Sequence, residues 1–207
     1  MSVILIEPHY LPCIEYYALI SSAEKILLEC YENYQKQSYR NRCRIMTAAG
    51  PFELSVPVIK PGGKVPLREV RIDYRQKWLK DHWRTIKTAY GSAPFFEHFA
   101  TGIHSIYQRN HQFLLDLNLE FISLFNRWLS IRTPISKTTG FSRESEDVDF
   151  DWRSRIHPKK PLKSNPFYKP CNYNQIFGKK FVGNLSIIDL LFCEGPSAIK
   201  ILERSKP

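Results

Sequence analysis

Only five cysteines occur in the 207 residues, at positions 13, 30, 43, 171 and 193, and no two are spaced C-x-x-C. The odd count and the scatter argue against a zinc ribbon and against a secreted disulfide framework. Reduced thiols of a cytoplasmic protein are the expectation. Long apolar runs are missing as well. No stretch of about 18 uncharged apolar residues is present to span a membrane. The first apolar run carries Glu7 and has no basic segment before it, unlike a signal peptide. Phosphate loops and nucleophile elbows are absent: there is no G-x-x-x-x-G-K-[ST], G-x-G-x-x-G or G-x-S-x-G. His98, His104 and His111 lie in helical territory without an H-E-x-x-H, so no metal site is inferred and no cofactor can be named. Acidic residues are in the minority. Asp and Glu number 20 against 30 Lys and Arg, a net charge of +10. Such a surplus favours anionic partners, namely phosphorylated small molecules, nucleic acid or acidic lipid, although a basic soluble surface also accounts for it. No helix-turn-helix, zinc-finger, RNP or KH signature occurs, which ranks nucleic acid below a small anion.

What is present suffices for a core: 43% hydrophobic and 14% aromatic residues. One domain over residues 1–207 is the expectation. Val3–Ile6 is a continuous apolar run, as in a strand covered on both faces. Pro12 suits the first turn of a helix, in which Ile14, Tyr17, Ala18 and Ser21 share a face. Ile26–Glu29 then resumes as a strand. Strand, helix, strand at this spacing is the smallest parallel crossover. Phe52–Ile59 alternates as a strand, with Pro57 marking an edge. Pro61-Gly62-Gly63 is a turn, and Val70–Ile72 a further short strand. Asp73 with Gln76 reads as a capping box for a helix over Tyr74–Tyr90, with Trp78, His82, Ile86 and Ala89 on its apolar stripe. Phe95 to Ile106 and Leu114 to Trp128 continue the helical period, with Asn118 a break point between two helices. From Thr133 to Pro170 aliphatics thin out. An acidic patch (Glu144, Glu146, Asp147, Asp149, Asp151) precedes a basic, proline-rich run (His157 to Lys163). This is expected to be a long irregular excursion, a lid or binding loop. Asn184–Phe192 reads as a capped helix stopped by Gly195-Pro196. The fold class expected is α/β, a small, mostly parallel sheet packed by helices.

Ligands of such folds collect beyond the carboxyl ends of the strands. There the sequence places Glu7-Pro8-His9-Tyr10. His9 is a candidate acid or base, with Glu7 to orient it or to hold substrate, and Tyr10 alongside. The plain alternative is a loop histidine bonded to its own turn. Tyr34, Lys36, Tyr39, Arg40, Asn41, Arg42 and Arg44 crowd cations, amides and phenols into one run. Arginine forks and lysine charges bind phosphate. Tyr34, Lys36, Arg40, Asn41 and Arg42 are thus anion-binding candidates, the alternative being a solvated basic hairpin. His82 is either a site residue or a satisfied core histidine. Cys13, in a helix's first turn, is either a thiol activated by the dipole or a small packed hydrophobe.

Pro8-His9-Tyr10-Leu11-Pro12…Tyr16-Tyr17 resembles the opening Q-P-x-Y-x-P-W-x-G-Y-F pattern of the WbqC-like family. Tyr34-x-Lys36, then Ser38-Tyr39-x-Asn41-Arg42…Ile45, resembles its Y-x-K…N-R-x-x-I segment. Leu54–Val58 is similar to its L-x-V-P-V strand, and Trp78…His82…Tyr90 to its W-x-x-x-H helix. Asn184 to Pro196 resembles a Bacteroidetes-type branch. Glu7, Cys13 and Glu15 depart from the family's Gln, Trp and Gly, so roles resting on those positions do not carry over. The resemblance implies a bacterial, cytoplasmic protein found with O-antigen and other surface-polysaccharide genes. The expectation that joins it to the residues is a transferase acting on a nucleotide sugar or phosphorylated sugar. The rivals are a non-catalytic ligand- or partner-binding protein of the same pathway and a nonspecific nucleic-acid binder.

Overall fold

The computed structural model describes residues 2–60, 62–143, 148–159, 166–178 and 180–206. β1 (Val3–Ile6) leads into α1 (Ile14–Ile20), and β2 (Lys25–Leu28) returns beside β1 in parallel, with Val3 opposite Lys25 and Ile6 opposite Leu28. Ile4, Leu5 and Ile6 are fully buried, as a parallel strand covered on both faces requires. Each such side chain contributes about 1.5–3 kcal/mol of gross burial energy. Every residue of α1 is buried, including Glu15. α1 packs against α5 (Ile187–Glu194) and α6 (Ala198–Arg204) at the far end of the chain.

The edges of the sheet come from the 133–170 excursion. β5 (Ile135–Lys137) pairs with β2 and β6 (Phe150–Asp151) with β1, both in parallel, in the order β5-β2-β1-β6. The excursion is irregular over most of its described length, yet it completes the sheet on both sides. Glu144, Glu146 and Asp147 of the acidic patch, Lys160 to Lys163 of the basic run, and Pro61 of the expected turn lie outside the described residues.

Beside the sheet stands an antiparallel hairpin, β3 (Arg42–Thr47) and β4 (Gly50–Ser55), with Arg42 opposite Ser55. The expected strand over Phe52–Ile59 is therefore displaced. It starts at Gly50 and ends before Pro57, so the proline lies beyond the ladder it cannot serve. Val70–Ile72 makes only single bridges, Ile72 to Val58 and Arg71 to Phe113.

α2 (Trp78–Tyr90), α3 (Phe96–Gln108) and α4 (Leu114–Trp128) supply the helical layer. α2 starts at Trp78, not Tyr74. Asp73 Oδ1 accepts the Arg75 N–H at 3.0 Å and Oδ2 meets Arg75 Nη2 at 2.6 Å, so no box to Gln76 forms. Its stripe of Trp78, His82, Ile86 and Ala89 is buried as the spacing predicts. α4 runs unbroken through Asn118, which is fully buried. Pro12 precedes the N-cap of α1 rather than entering the helix, and its carbonyl accepts the Ile187 N–H at 2.8 Å. Asn184 does not cap its own helix. It caps α1 from across the fold: its Oδ1 accepts the Glu15 N–H at 2.9 Å and its amide donates to the Glu15 carboxylate at 2.7 Å. Gly195 stops α5 at φ +55, where an added Cβ would lie 2.4 Å from the Phe95 ring. Among the described residues no helix is long and apolar enough to cross a membrane.

Candidate functional site

The carboxyl ends of the parallel strands carry charge. β1 is followed by Glu7, β2 by Glu29, β5 by Thr138, and β6 by Trp152, Arg153 and Ser154. Glu7 is 1% exposed. Its Oε1 lies 3.1 Å from Arg40 Nη1 and 3.3 Å from His9 Nε2, and its Oε2 accepts the Ser154 N–H at 2.9 Å. Burial pushes this carboxyl up, but the Arg40 charge, the His9 hydrogen bond and charge, and the Ser154 amide outweigh it and hold it at about 2. Arg40 is wholly buried. Its Nε donates to Glu32 Oε1 at 2.8 Å, its Nη2 to Glu32 as well and to Ser154 Oγ at 2.9 Å. Burial raises Glu32 to about 7, the Glu7 charge adding to it and Arg40 opposing. One guanidinium thus sits between two buried carboxylates, donating two hydrogen bonds to Glu32 and lying 3.1 Å from Glu7.

Glu29 ties in the other strand ends. Its Oε1 accepts the N–H groups of Tyr31 at 2.8 Å and Glu32 at 3.2 Å and the Thr138 hydroxyl at 3.2 Å. Its Oε2 meets Arg153 Nη1 at 3.2 Å, and Arg153 also forks onto Asp151.

His9 is closed to solvent, its ring 4.6 Å from that of Tyr16 and 5.5 Å from that of Tyr39. Burial lowers its pKa, and Glu7 opposes that without reversing it, so the ring is neutral at pH 7. Nδ1 has no hydrogen-bond partner among the described residues. Asn118, from α4, donates through its amide to the Arg40 carbonyl at 2.7 Å and the Pro8 carbonyl at 3.3 Å, fastening both arms of this cluster.

Tyr10 turns the opposite way. Its N–H donates to the Tyr39 carbonyl at 2.9 Å, while its hydroxyl lies 2.8 Å from His82 Nδ1 and 2.5 Å from the Tyr107 hydroxyl. His82 is lowered to about 4 by burial, against a backbone hydrogen bond to Ser55. Tyr10 and His82 thus form a group of their own within the core. The basic run also divides. Arg40 points inward. Arg42 reaches Glu53 across the hairpin at 2.7 Å, and Lys36 is exposed. Asn41 donates to the Val56 carbonyl at 2.8 Å at the root of the hairpin. Tyr34 is half-buried, its phenol pushed up to about 12 by burial. Lys36, Asn41 and Arg42 therefore do not form one clamp facing His9; of the cations in the run, Arg40 alone reaches the Glu7–His9 pair. Burial pushes the Cys13 thiol up, the reverse of an activated nucleophile.

Glu29, Glu32, Arg153 and Ser154 are not singled out by the sequence, and Asn118 stands out there only as a helix break. Glu29 carries a readable signal, a carboxylate directly after the apolar run Ile26-Leu27-Leu28, just as Glu7 follows β1. The others have no local signal.

Fold and site together define an α/β protein with a buried, charged cluster at the carboxyl edge of a small parallel sheet. The chain belongs to the WbqC-like protein family, whose model matches residues 7–159 and 162–201. It is also 30% identical over 138 residues to the uncharacterized protein Rv1507c of Mycobacterium tuberculosis, a match spanning 66% of this chain and 59% of that protein. The chain thus covers less than two thirds of that relative's length. No solved structure gives a significant match.

Proposed function

We propose that this protein is a cytoplasmic transferase of bacterial surface-polysaccharide synthesis, of the O-antigen or lipopolysaccharide kind, acting on a nucleotide sugar or phosphorylated sugar. The observation that carries the reading is the contact of Glu7 with both His9 and Arg40 at the carboxyl edge of the sheet, where ligands of open α/β folds bind. In this reading His9 is the acid or base, Glu7 orients it, and Arg40 supplies the buried positive charge. Lys36 and Arg42 lie outside the cluster and attract the anion at longer range. The resemblance of the Asn184–Pro196 ending supports a Bacteroidetes-type branch in this reading, with residues 1–207 taken as one domain.

The test is a thermal-shift screen of the full chain against nucleotide sugars, nucleotides and acyl-CoAs. A ligand at about 100 times its Kd stabilises the native state by about 2.7 kcal/mol. A rise in Tm with a nucleotide sugar supports the proposal, and no rise with any anionic sugar sinks it.

A second reading is a ligand- or partner-binding protein of the same pathway without chemistry. The ion pairing of Arg40 with both Glu7 and Glu32 favours it. His9→Gln separates the two: an enzyme keeps its ligand and loses turnover, whereas a binder has no turnover to lose. Nonspecific nucleic-acid binding requires affinity that falls steeply with salt.

A further inference from the structure

Glu7 decides which nitrogen of His9 carries the proton. Arg40 and the Ser154 amide hold the Glu7 carboxylate ionised, so it only accepts hydrogen bonds. His9 Nε2, 3.3 Å from Glu7 Oε1, is therefore the N–H of the neutral ring. Nδ1 is left as a bare acceptor, fully buried, with no donor among the described residues. Two neighbouring polar atoms are in the same position. Tyr16 Oη, on a ring tilted against His9 with centroids 4.6 Å apart, has no hydrogen-bond partner among the described residues, and Arg40 Nη1 touches Glu7 at 3.1 Å without a well-directed hydrogen bond. Buried polar atoms are rarely left so. A bare acceptor, a phenol and a guanidinium nitrogen complement a hydroxyl group next to an anionic oxygen.

We propose that Glu7 and His9 form a general-base dyad for a hydroxyl nucleophile, so that the second substrate of this site is an alcohol, the hydroxyl of an acceptor sugar. The proposal rests on the transferase reading above. In the step, His9 Nδ1 takes the acceptor's O–H proton as that oxygen bonds to the anomeric carbon of the nucleotide sugar. The bond from the anomeric carbon to the phosphate oxygen breaks, and its electron pair leaves with the nucleoside diphosphate. His9 becomes an imidazolium whose Nε2–H faces the Glu7 carboxylate, which stabilises the charge. Because His9 is closed to solvent, the acceptor reaches Nδ1 only as the packing around the ring parts. That closure also shields the activated sugar from hydrolysis.

The experiment is NMR of the full chain with 15N-labelled histidine. The His9 ring is expected to carry its proton on Nε2 and none on Nδ1. A proton on Nδ1 overturns the dyad outright. UDP-glucose and methyl glucoside are then added singly and together as the probes. Methyl glucoside is expected to shift the Nδ1 resonance, and to do so at lower concentration when UDP-glucose is bound. UDP-glucose binding with an Nδ1 signal that ignores methyl glucoside overturns the dyad and leaves the nucleotide-sugar site standing. No response to UDP-glucose or to any other nucleotide sugar or phosphorylated sugar, in spectrum or in Tm, removes the transferase reading and the dyad with it. His9→Gln keeps a donor for Glu7 and removes the base. It is expected to hold UDP-glucose as the wild type does, and a loss of more than about tenfold in affinity makes the ring a binding or structural element and overturns the proposal. Glu7→Gln is expected to release the tautomer, so that the proton divides between the two nitrogens. An unchanged Nε2–H ring in that variant counts against Glu7 as the orienting group.

Discussion

The Tyr10 hydroxyl meets His82 Nδ1 at 2.8 Å across 72 residues of sequence. The same hydroxyl lies 2.5 Å from that of Tyr107, so Tyr10 is the middle member and bonds on both sides. A chain of three side chains thus joins the end of β1 to α2 and α3, all of it buried.

Tyr10→Phe removes the middle of that chain. It strands His82 Nδ1 and the Tyr107 hydroxyl together, and the expected loss is about 1–3 kcal/mol for an unsatisfied buried group. Tyr107→Phe removes one partner of Tyr10, leaves its contact with His82 in place and costs less, about 0.5–1.5 kcal/mol. Urea melts of the two variants check the order. Equal losses would show that Tyr10 is no more central to the chain than Tyr107.

Arg40→Met leaves Glu7 and Glu32 buried without their cation. Breaking a buried ion pair from one side typically costs about 3–5 kcal/mol, so this variant is expected to be poorly folded at neutral pH. Arg40→Lys does not rescue it, because a point charge cannot fork between Glu32 and Ser154. Adding Glu7→Gln and Glu32→Gln to Arg40→Met is expected to restore much of the loss, read as Tm. A triple variant no better than Arg40→Met would mean that the packing of the guanidinium matters more than its charge.

Stability depends on pH through groups of opposite sign. Glu7, lowered to about 2, stabilises the fold above its ordinary 4.5, and this is lost as pH falls toward 2. His82, lowered to about 4 from 6.5, must shed its proton on folding, so its contribution also falls as pH drops through that window. Glu32, raised to about 7, works the other way: its contribution is present below 4.5 and is lost as pH rises to about 7. Between roughly pH 4.5 and 6.5 the last two oppose each other. Glu32→Gln is therefore expected to make stability climb more steeply with pH across this window. Denaturant titrations at several pH values measure it, and a slope unchanged from the wild type rejects the assignment.

Asn118→Leu removes the donor to the Pro8 and Arg40 carbonyls. A loss of about 1–3 kcal/mol is expected for these stranded acceptors. Amide exchange is expected to quicken at Tyr10 and Val56, whose N–H groups bond to Tyr39 and Asn41 beside the freed turns. Exchange that quickens only within α4 would make Asn118 a helix residue and nothing more.

The legible parts of this molecule are those with a local period. β1, α1 and β2, and the long helices with their stripes, follow from apolar spacing within a window. β5 and β6 do not, because their few residues gain a pairing partner only from strands more than a hundred positions away. β3 was obscured for another reason. It buries Cys43 and Ile45 while half-exposing Arg42 and Arg44, so its composition reads as a charge run. The site divides in the same way. Glu7 and His9 were legible because they follow an apolar strand. Arg40 could not be told from Lys36 or Arg42 by composition, since only the fold decides which cation turns inward. Asn118 was read as a break in a helix because its acceptors, the carbonyls of Pro8 and Arg40, are invisible from its own neighbourhood.

The order of the strands has a consequence during synthesis. β1 and β2 are both made by Leu28, but their outer neighbours appear only at Ile135–Lys137 and Phe150–Asp151. Until then the pair offers two bare hydrogen-bonding edges, the surface on which chains aggregate, and closing loops of that length makes late, slow assembly the rule. A nascent chain that stalls within α4 therefore displays the strand end that becomes the Glu7–His9 site, still without the Ser154 amide that caps it.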